Sequence, residues 1–156
     1  MLRCCCGGVR SVRGSKRGQV SEMDGSAAAT KSAANKRLLV IDDEQSICEF
    51  IRRVAESQGF EVATAITHDQ FRSAYDAFKP SAILLDLMMP NVDGVALLEK
   101  LATQGCAAKL LIMSGYHPEL LNNSRKLGAG YDLDVRGTLN KPFGVAELQS
   151  ALRSVE

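Results

Sequence analysis

The sequence predicts a doubly wound α/β domain with five parallel strands and five helices. Three observations support this fold class. Short apolar runs alternate with segments of helical period from residue 37 onward. Strands that are joined through helices need right-handed crossovers, which give a parallel sheet covered on both faces. Acidic residues directly follow two of the apolar runs, where the chemistry of such sheets gathers.

The first strand and helix are the clearest elements. Residues 38–41 are apolar throughout and compact enough for a strand buried on both faces. The helix that follows repeats apolar residues at i, i+3, i+4, i+7 and i+8, namely Ile47, Phe50, Ile51, Val54 and Ala55. Ser46 and Glu49 predict a capping box at its start, and Gly59 predicts its end.

The remaining elements follow in the same alternation. A second strand over about residues 61–64 precedes a helix that stops before Pro80, because the residue ahead of proline disfavours helix. That helix carries Phe71, Ala74, Tyr75 and Phe78 on one face. Later strands are predicted at residues 82–85, 110–113 and 136–140, and later helices at residues 94–104, 118–128 and 144–155.

Composition divides the chain into a basic segment and an acidic body. The 156 residues, 46% hydrophobic and 24% charged, can bury the core of one domain and hardly two. Residues 1–37 hold eight Lys/Arg and two Asp/Glu, so the net charge of +1 combines +6 there with −5 beyond. Residues 1–36 have almost no large apolar groups. We expect a disordered basic tail there and one domain over residues 37–156.

Cysteine usage and hydropathy predict a cytoplasmic protein. The five cysteines show neither a metal-ligand spacing nor a disulfide framework, and Cys48 and Cys106 fall within apolar patterns as core thiols. No apolar run approaches the roughly 18 residues that a membrane span needs. The basic residues lack a helix-turn-helix or an aromatic-interleaved pattern, so we expect no specific nucleic-acid partner.

Five polar residues follow the predicted strands and would meet at one edge of the sheet: Asp42, Asp43, Asp86, Ser114 and Lys141. Clustered carboxylates repel each other, which raises a pKa or requires a cation, and oxygen ligands favour Mg²⁺. With that charge neutralised, Asp86 could accept a phosphoryl group. Lys141 would hold the phosphoryl group, and Ser114 would donate a hydrogen bond to it.

Each of these residues also has an ordinary structural interpretation. Asp42 and Asp43 could cap a helix or form a solvated turn. Asp86 could simply end a strand, Lys141 could be an exposed loop charge, and Ser114 could be a turn former. Their joint placement at strand ends favours a shared pocket.

Four motifs in this order resemble the receiver domain of bacterial two-component response regulators. They are residues 39–44 (LVIDDE), 86–94 (DLMMPNVDG), 114–116 (SGY) and 141–143 (KPF). The resemblance covers about residues 36–156. It implies a flavodoxin-like sheet with strand order 2-1-3-4-5.

The resemblance also implies the roles of the site residues. Asp86 would be phosphorylated by a histidine kinase or a histidine phosphotransfer protein. Asp43, Asp86 and the Met88 carbonyl would bind Mg²⁺ directly, and Asp42 would act through water. Ser114 and Lys141 would sense the phosphoryl group.

Two features depart from the common receiver pattern. Thr138 stands three residues before the lysine, where many receivers carry an aromatic side chain that swings inward on activation. The stretch between Ser114 and Lys141 is a few residues longer than typical, and it resembles receivers linked to cyclic-di-GMP phosphodiesterase domains.

Three functions stay open. The first is a stand-alone response regulator that only phosphorylates and dephosphorylates itself. It would signal to an unknown effector through its fourth helix, fifth strand and last helix. The second is a pseudo-receiver that binds partners without phosphorylation, which Thr138 suggests and the acidic pocket opposes. The third is an aspartyl-nucleophile phosphohydrolase, which fits less well because Met88 stands where such enzymes generally carry a second acid.

Overall fold

The computed structural model describes residues 36–90, 92–115, 126 and 130–156, and Val92 only in its backbone. Five strands form one sheet in the order β2-β1-β3-β4-β5, with all neighbouring strands parallel. The strands are β1 (Arg37–Ile41), β2 (Glu61–Ala65), β3 (Ala82–Asp86), β4 (Lys109–Ser114) and β5 (Val135–Asn140). This sheet confirms the predicted doubly wound fold and its strand order.

Four helices lie in the described part of the chain: α1 (Gln45–Ser57), α2 (His68–Phe78), α3 (Gly94–Thr103) and α4 (Val145–Arg153). A short antiparallel pair, Met88–Met89 with Val92–Asp93, connects β3 to α3. The predicted helix over residues 118–128 and the predicted tail over residues 1–36 lie outside the described residues, except for Lys126 and Lys36. No described helix is long and apolar enough to cross a membrane.

The sheet separates two apolar cores, because side chains along each strand alternate between its faces. Leu38 and Val40 of β1 pack with residues of α1 and α4, whereas Leu39 and Ile41 pack with residues of α2 and α3. Strands β3 and β4 alternate in the same way. The continuous apolar runs in the sequence therefore correspond to strands that are buried on both faces.

The start of α1 differs from the prediction. The capping box of Ser46 and Glu49 is wrong, since the helix begins at Gln45 and no side chain caps it. The carbonyl of Glu44 instead accepts two N–H groups of the first turn at 3.1 Å. The N–H of Glu44 donates to Asp42 Oδ1 at 3.0 Å. This bond holds the loop after β1 in a turn, and the helix begins directly behind it.

The start of α2 is capped by a side chain, and α1 and α2 end close to where the sequence predicts. The Thr67 side chain accepts a hydrogen bond from the Gln70 N–H at 3.2 Å and caps α2. Gly59, with φ +83°, follows α1 and confirms the predicted stop, because glycine adopts this left-handed conformation without strain. Helix α2 ends at Phe78, ahead of Pro80 as predicted.

Strand β5 has the weakest apolar pattern and the least regular pairing. It begins one residue before the predicted Arg136, and its register with β4 shifts between Leu110 and Leu111. Gly137 lies opposite Leu111, where a Cβ atom would come within 3.1 Å of the leucine side chain. Close approach at this glycine lets β5 join the sheet, which brings Lys141 to the edge that also ends β1, β3 and β4.

Candidate functional site

The sheet brings the predicted site residues together at the carboxyl ends of its strands. Asp42 directly follows β1, Asp86 ends β3 and Ser114 ends β4. These three side chains are almost fully buried, with 0%, 2% and 0% of their surface exposed, respectively. In the described residues they are the buried polar side chains of the domain, and all three lie at this one edge. Burying polar groups costs free energy unless they are paired, so their clustering indicates a functional pocket.

Lys141 joins the two buried carboxylates. Its Nζ lies 2.6 Å from Asp42 Oδ2 and 2.6 Å from Asp86 Oδ2, and its side chain is 16% exposed. Its backbone N–H donates to the Ser114 carbonyl at 2.9 Å, which continues the pairing of β4 and β5 beyond the last strand residue. The lysine is thereby fixed at its backbone while its ammonium group reaches across the ends of β3 and β1.

Backbone N–H groups orient the same two carboxylates. The N–H of Glu44 donates to Asp42 Oδ1 at 3.0 Å, and the N–H of Met88 donates to Asp86 Oδ1 at 2.9 Å. Each carboxylate therefore places one oxygen on a backbone donor and the other on Lys141. The sequence analysis missed this positioning. An aspartate that begins a turn commonly bonds the N–H two residues later, and that pattern could have revealed it.

The surroundings of Asp42 and Lys141 shift the pKa values of these two residues. Burial raises the pKa of Asp42, and the hydrogen bonds from Lys141 and from the Glu44 backbone only partly oppose this effect. Burial alone would lower the pKa of Lys141, but hydrogen bonds to Asp42 and Asp86 outweigh it and raise that pKa overall. Lys141 is therefore a cation at neutral pH.

The acidic groups outnumber the cation that faces them. One carboxylate oxygen from each of Asp42, Asp43 and Asp86 lies within 4.8 Å of the others, and Asp43 is exposed. With every carboxylate counted as ionised, the single lysine leaves these four groups with a formal charge of −2. Three carboxylates converging from one side form a donor set of hard oxygens, which suits a small divalent cation. The residues present thus fit the predicted Mg²⁺ site.

Ser114, Met88 and Thr138 lie around the pocket in different environments. The Ser114 hydroxyl donates to the Gly115 carbonyl at 3.0 Å, and no hydrogen bond joins it to Asp86 in the described structure. Met89 packs in the core with 6% exposure, whereas the Met88 side chain is 49% exposed. Thr138 is half-buried in β5 and pairs with Ile112 of β4.

A cleft of about 370 Å³ opens beside the pocket, between α1 and the segment that follows Lys141. Its wall includes Lys141 and Gly115 together with apolar side chains of α1 and of residues 142–143. This cleft was not predicted from the sequence. Nothing in the spacing of the residues signals it, because the cleft joins three segments that are far apart in the chain, around residues 44–50, 115 and 141–143.

The fold and the pocket define a doubly wound α/β domain with an acidic site at the carboxyl edge of its sheet. The family model of the response regulator receiver domain matches residues 38–153, and the chain belongs to this family. Receiver domains generally bind Mg²⁺ through acidic residues, and the aspartate cluster is present here.

Two curated relatives illustrate the sequence similarity. The KDP operon transcriptional regulatory protein KdpE of Escherichia coli is 34% identical over 116 residues, which cover 74% of this chain and 49% of KdpE. The alkaline phosphatase synthesis transcriptional regulatory protein PhoP of Bacillus subtilis is 28% identical over 121 residues, covering 78% of this chain and 48% of PhoP. The chain therefore spans about half the length of these relatives.

Solved structures agree on the fold. The Vibrio cholerae chemotaxis protein CheY4 superimposes with a TM-score of 0.67 at 22% identity, covering 79% of this chain and all of that one. A response regulator from Colwellia psychrerythraea gives a TM-score of 0.65 at 28% identity, covering 78% of this chain and 97% of its own.

Proposed function

We propose that Asp86 accepts a phosphoryl group from the phosphohistidine of a histidine kinase or a histidine phosphotransfer protein. The observation that carries this proposal is the Lys141 ammonium group held 2.6 Å from Asp86 Oδ2 within a cluster of three carboxylates. A lysine so placed can hold the oxygens of a phosphoryl group bonded to Asp86. The phosphorylated domain then signals through altered binding to a downstream effector protein.

The transfer requires few groups from the protein. A carboxylate oxygen of Asp86 forms the new bond to phosphorus, the bond from phosphorus to the histidine nitrogen breaks, and the imidazole leaves. The Met88 N–H holds the Asp86 carboxylate in a fixed orientation, and Lys141 contributes a permanent positive charge near the phosphoryl oxygens. Ser114, at the end of the neighbouring strand, is the further donor proposed for the product.

Asp43, Asp86 and the Met88 carbonyl would hold Mg²⁺, with Asp42 acting through water. The fit rests on the three converging carboxylates and their excess negative charge over Lys141. When bound, the ion neutralises charge on the phosphoryl oxygens, which lets an anionic nucleophile approach an anionic donor.

The proposed switch acts on itself and on protein partners, and it is not an enzyme for other substrates. It is also proposed to work in the cytoplasm. The predicted likeness to receivers linked to cyclic-di-GMP phosphodiesterase domains stays a prediction. A phosphorylation-independent pseudo-receiver is the second candidate function, favoured by Thr138 at the position where many receivers carry an aromatic residue.

The test is labelling with acetyl phosphate, followed by intact mass measurement. We expect the wild type to gain one phosphoryl group in Mg²⁺ and none in chelator. Asp86→Asn should gain none, because the amide keeps the side-chain shape and loses the nucleophile. Asp76→Asn is the matched control, since Asp76 is exposed on α2 away from the pocket, and it should label like the wild type. No gain in the wild type would favour the pseudo-receiver, and steady turnover of small phosphate esters would favour a phosphohydrolase.

A further inference from the structure

One of the two residues proposed to sense the phosphoryl group, and the chain neighbour of the other, border the same cleft. Lys141 lines it directly, and Gly115, the neighbour of Ser114, lines it from the end of β4. The opposite wall belongs to α1, with Ile47 and Phe50 as its apolar side chains. A movement at either sensor therefore changes the shape of a space that α1 encloses.

An aromatic pair lines this cleft. Phe143, two residues after Lys141, packs on Phe50 of α1 with ring centroids 6.3 Å apart and planes tilted by 42°. Both rings are half-buried and rest on the apolar core under α1 and α4. Close-packed cores resist displacement, but each ring also faces the cleft of about 370 Å³. The pair can therefore change its packing without displacing the core beneath it.

The position in β5 where many receivers carry an aromatic residue offers no ring. Thr138 is small and half-buried, and it pairs with Ile112 in the sheet. In the described structure, the aromatic side chain nearest to Lys141 along the chain is Phe143. The covalent link from Lys141 through Pro142 to this ring joins the acidic pocket to α1.

We propose that the Phe50–Phe143 pair transmits phosphorylation of Asp86 from Lys141 to the surface of α1. This inference rests on the proposed function. In the unphosphorylated domain the lysine Nζ is shared between Asp42 and Asp86, each at 2.6 Å. A phosphoryl group adds oxygens beyond the Asp86 carboxylate and draws the ammonium group away from Asp42. The Lys141 N–H is bonded to the Ser114 carbonyl, so a movement of the lysine or of the end of β4 is passed to the segment that carries Phe143.

The consequence is a surface on α1 that depends on phosphorylation. The exposed parts of Ile47 and Phe50 border the cleft, so repacking of Phe143 alters the apolar area that α1 presents to a partner. Coupling free energies are reciprocal, so a change in the aromatic pair also alters the occupancy of phosphorylated Asp86 at equilibrium with its donor.

Wild-type protein carrying ring-labelled phenylalanine tests the proposal by NMR. The chain has five phenylalanines, and three of them (Phe60, Phe71 and Phe78) lie away from the cleft and act as internal controls. We expect acetyl phosphate with Mg²⁺ to shift the ring signals of Phe50 and Phe143 well beyond those of the controls. In Asp86→Asn the same treatment should shift none of them.

Mass measurement on the same samples distinguishes a failure of the aromatic relay from a failure of the proposed function. A phosphoryl gain without a selective shift of Phe50 and Phe143 overturns the aromatic relay and leaves the proposed function standing. Absence of any gain in the wild type overturns the proposed function, and the relay with it.

A second variant tests whether the signal passes through the ring contact. Phe50→Leu keeps an apolar side chain in the core and removes the aromatic partner of Phe143. Phe78→Leu is the matched control, because Phe78 is also half-buried but packs against the core on the other face of the sheet. We expect the Phe143 shift to be largely lost in Phe50→Leu and retained in Phe78→Leu. An undiminished Phe143 shift in Phe50→Leu overturns the relay.

Discussion

Replacing Lys141 with methionine tests the electrostatic account of the pocket most directly. The substitution keeps an unbranched apolar stem and removes the ammonium group, with its positive charge and its contacts to Asp42 and Asp86. Asp42 and Asp86 then lie side by side at 0% and 2% exposure without a cation between them. We expect a marked loss of stability in the absence of Mg²⁺, because two buried carboxylates lose the group that compensates their charges.

The magnitude follows from the burial of the three groups. Breaking a buried ion pair by removing one partner typically costs about 3–5 kcal/mol. The Lys141 side chain retains 16% exposure, and Asp43 opens the pocket to solvent, so the lower end of that range applies. A loss of about 3 kcal/mol would lower the melting temperature of a domain of this size by roughly 10 °C.

The pH dependence of stability shows whether uncompensated charge causes the destabilisation of Lys141→Met. Burial raises the pKa of Asp42 above its ordinary value even with Lys141 present, and removal of the lysine raises that pKa further. A carboxyl group whose pKa is raised by folding binds its proton at higher pH in the folded state than in the unfolded state. Stability therefore falls as pH rises through the range between the two pKa values. The variant should therefore recover stability between pH 8 and pH 5. Lys141 itself contributes nothing to the change of stability between pH 5 and pH 8 in the wild type, because its raised pKa keeps it charged throughout this range.

Thermal unfolding followed by circular dichroism, at several pH values with and without Mg²⁺, provides the measurement. Lys79→Met is the matched control, since Lys79 is exposed at the end of α2 and should tolerate the change at every pH. Added Mg²⁺ should restore more stability to Lys141→Met than to the wild type, because the ion replaces the missing charge. An equal destabilisation at pH 5 and pH 8 would show that lost packing, and not charge, is responsible.

Three further outcomes are expected. Mg²⁺ at ten times its Kd should stabilise the wild type by about 1.4 kcal/mol in chemical denaturation, and Asp43→Asn should lose most of this gain. Cys48 should resist thiol reagents at pH 8 until the protein unfolds, as peptide mapping would show, because burial raises its pKa to about 11. Gly94→Ala should lower the free energy of unfolding by about 1–3 kcal/mol, since the added Cβ would lie 2.8 Å from the Leu87 Cα atom. In the control Gly115→Ala, the added Cβ has no atom of the described residues within 4 Å and should cost far less, and equal losses would refute the steric explanation.

Sequence patterns predicted the helices and strands best where the local apolar pattern and the burial in the folded domain favour the same structure. Strands β1, β3 and β4 are continuous apolar runs, and burial on both faces is the only arrangement that removes all of their side chains from water. The start of α1 was predicted less well. The predicted capping box at Ser46 and Glu49 does not form, and the Glu44 N–H donates to the Asp42 side chain instead. That side chain is held in place by Lys141, about a hundred residues away. Such a contact leaves no trace in the local spacing.

The doubly wound fold class and the residues that gather at the edge of the sheet were predictable from the amino-acid pattern. Alternation of strands and helices allows few topologies, and the carboxyl ends of parallel strands meet at one edge. The pairing of those residues was not predictable, because it depends on contacts in three dimensions. The sharing of Lys141 between Asp42 and Asp86, the orientation of Ser114 toward Gly115 and the Phe50–Phe143 contact all join segments that are distant in the chain or depend on side-chain rotation. These details arise from packing and charge compensation in three dimensions, which no pattern along the chain encodes.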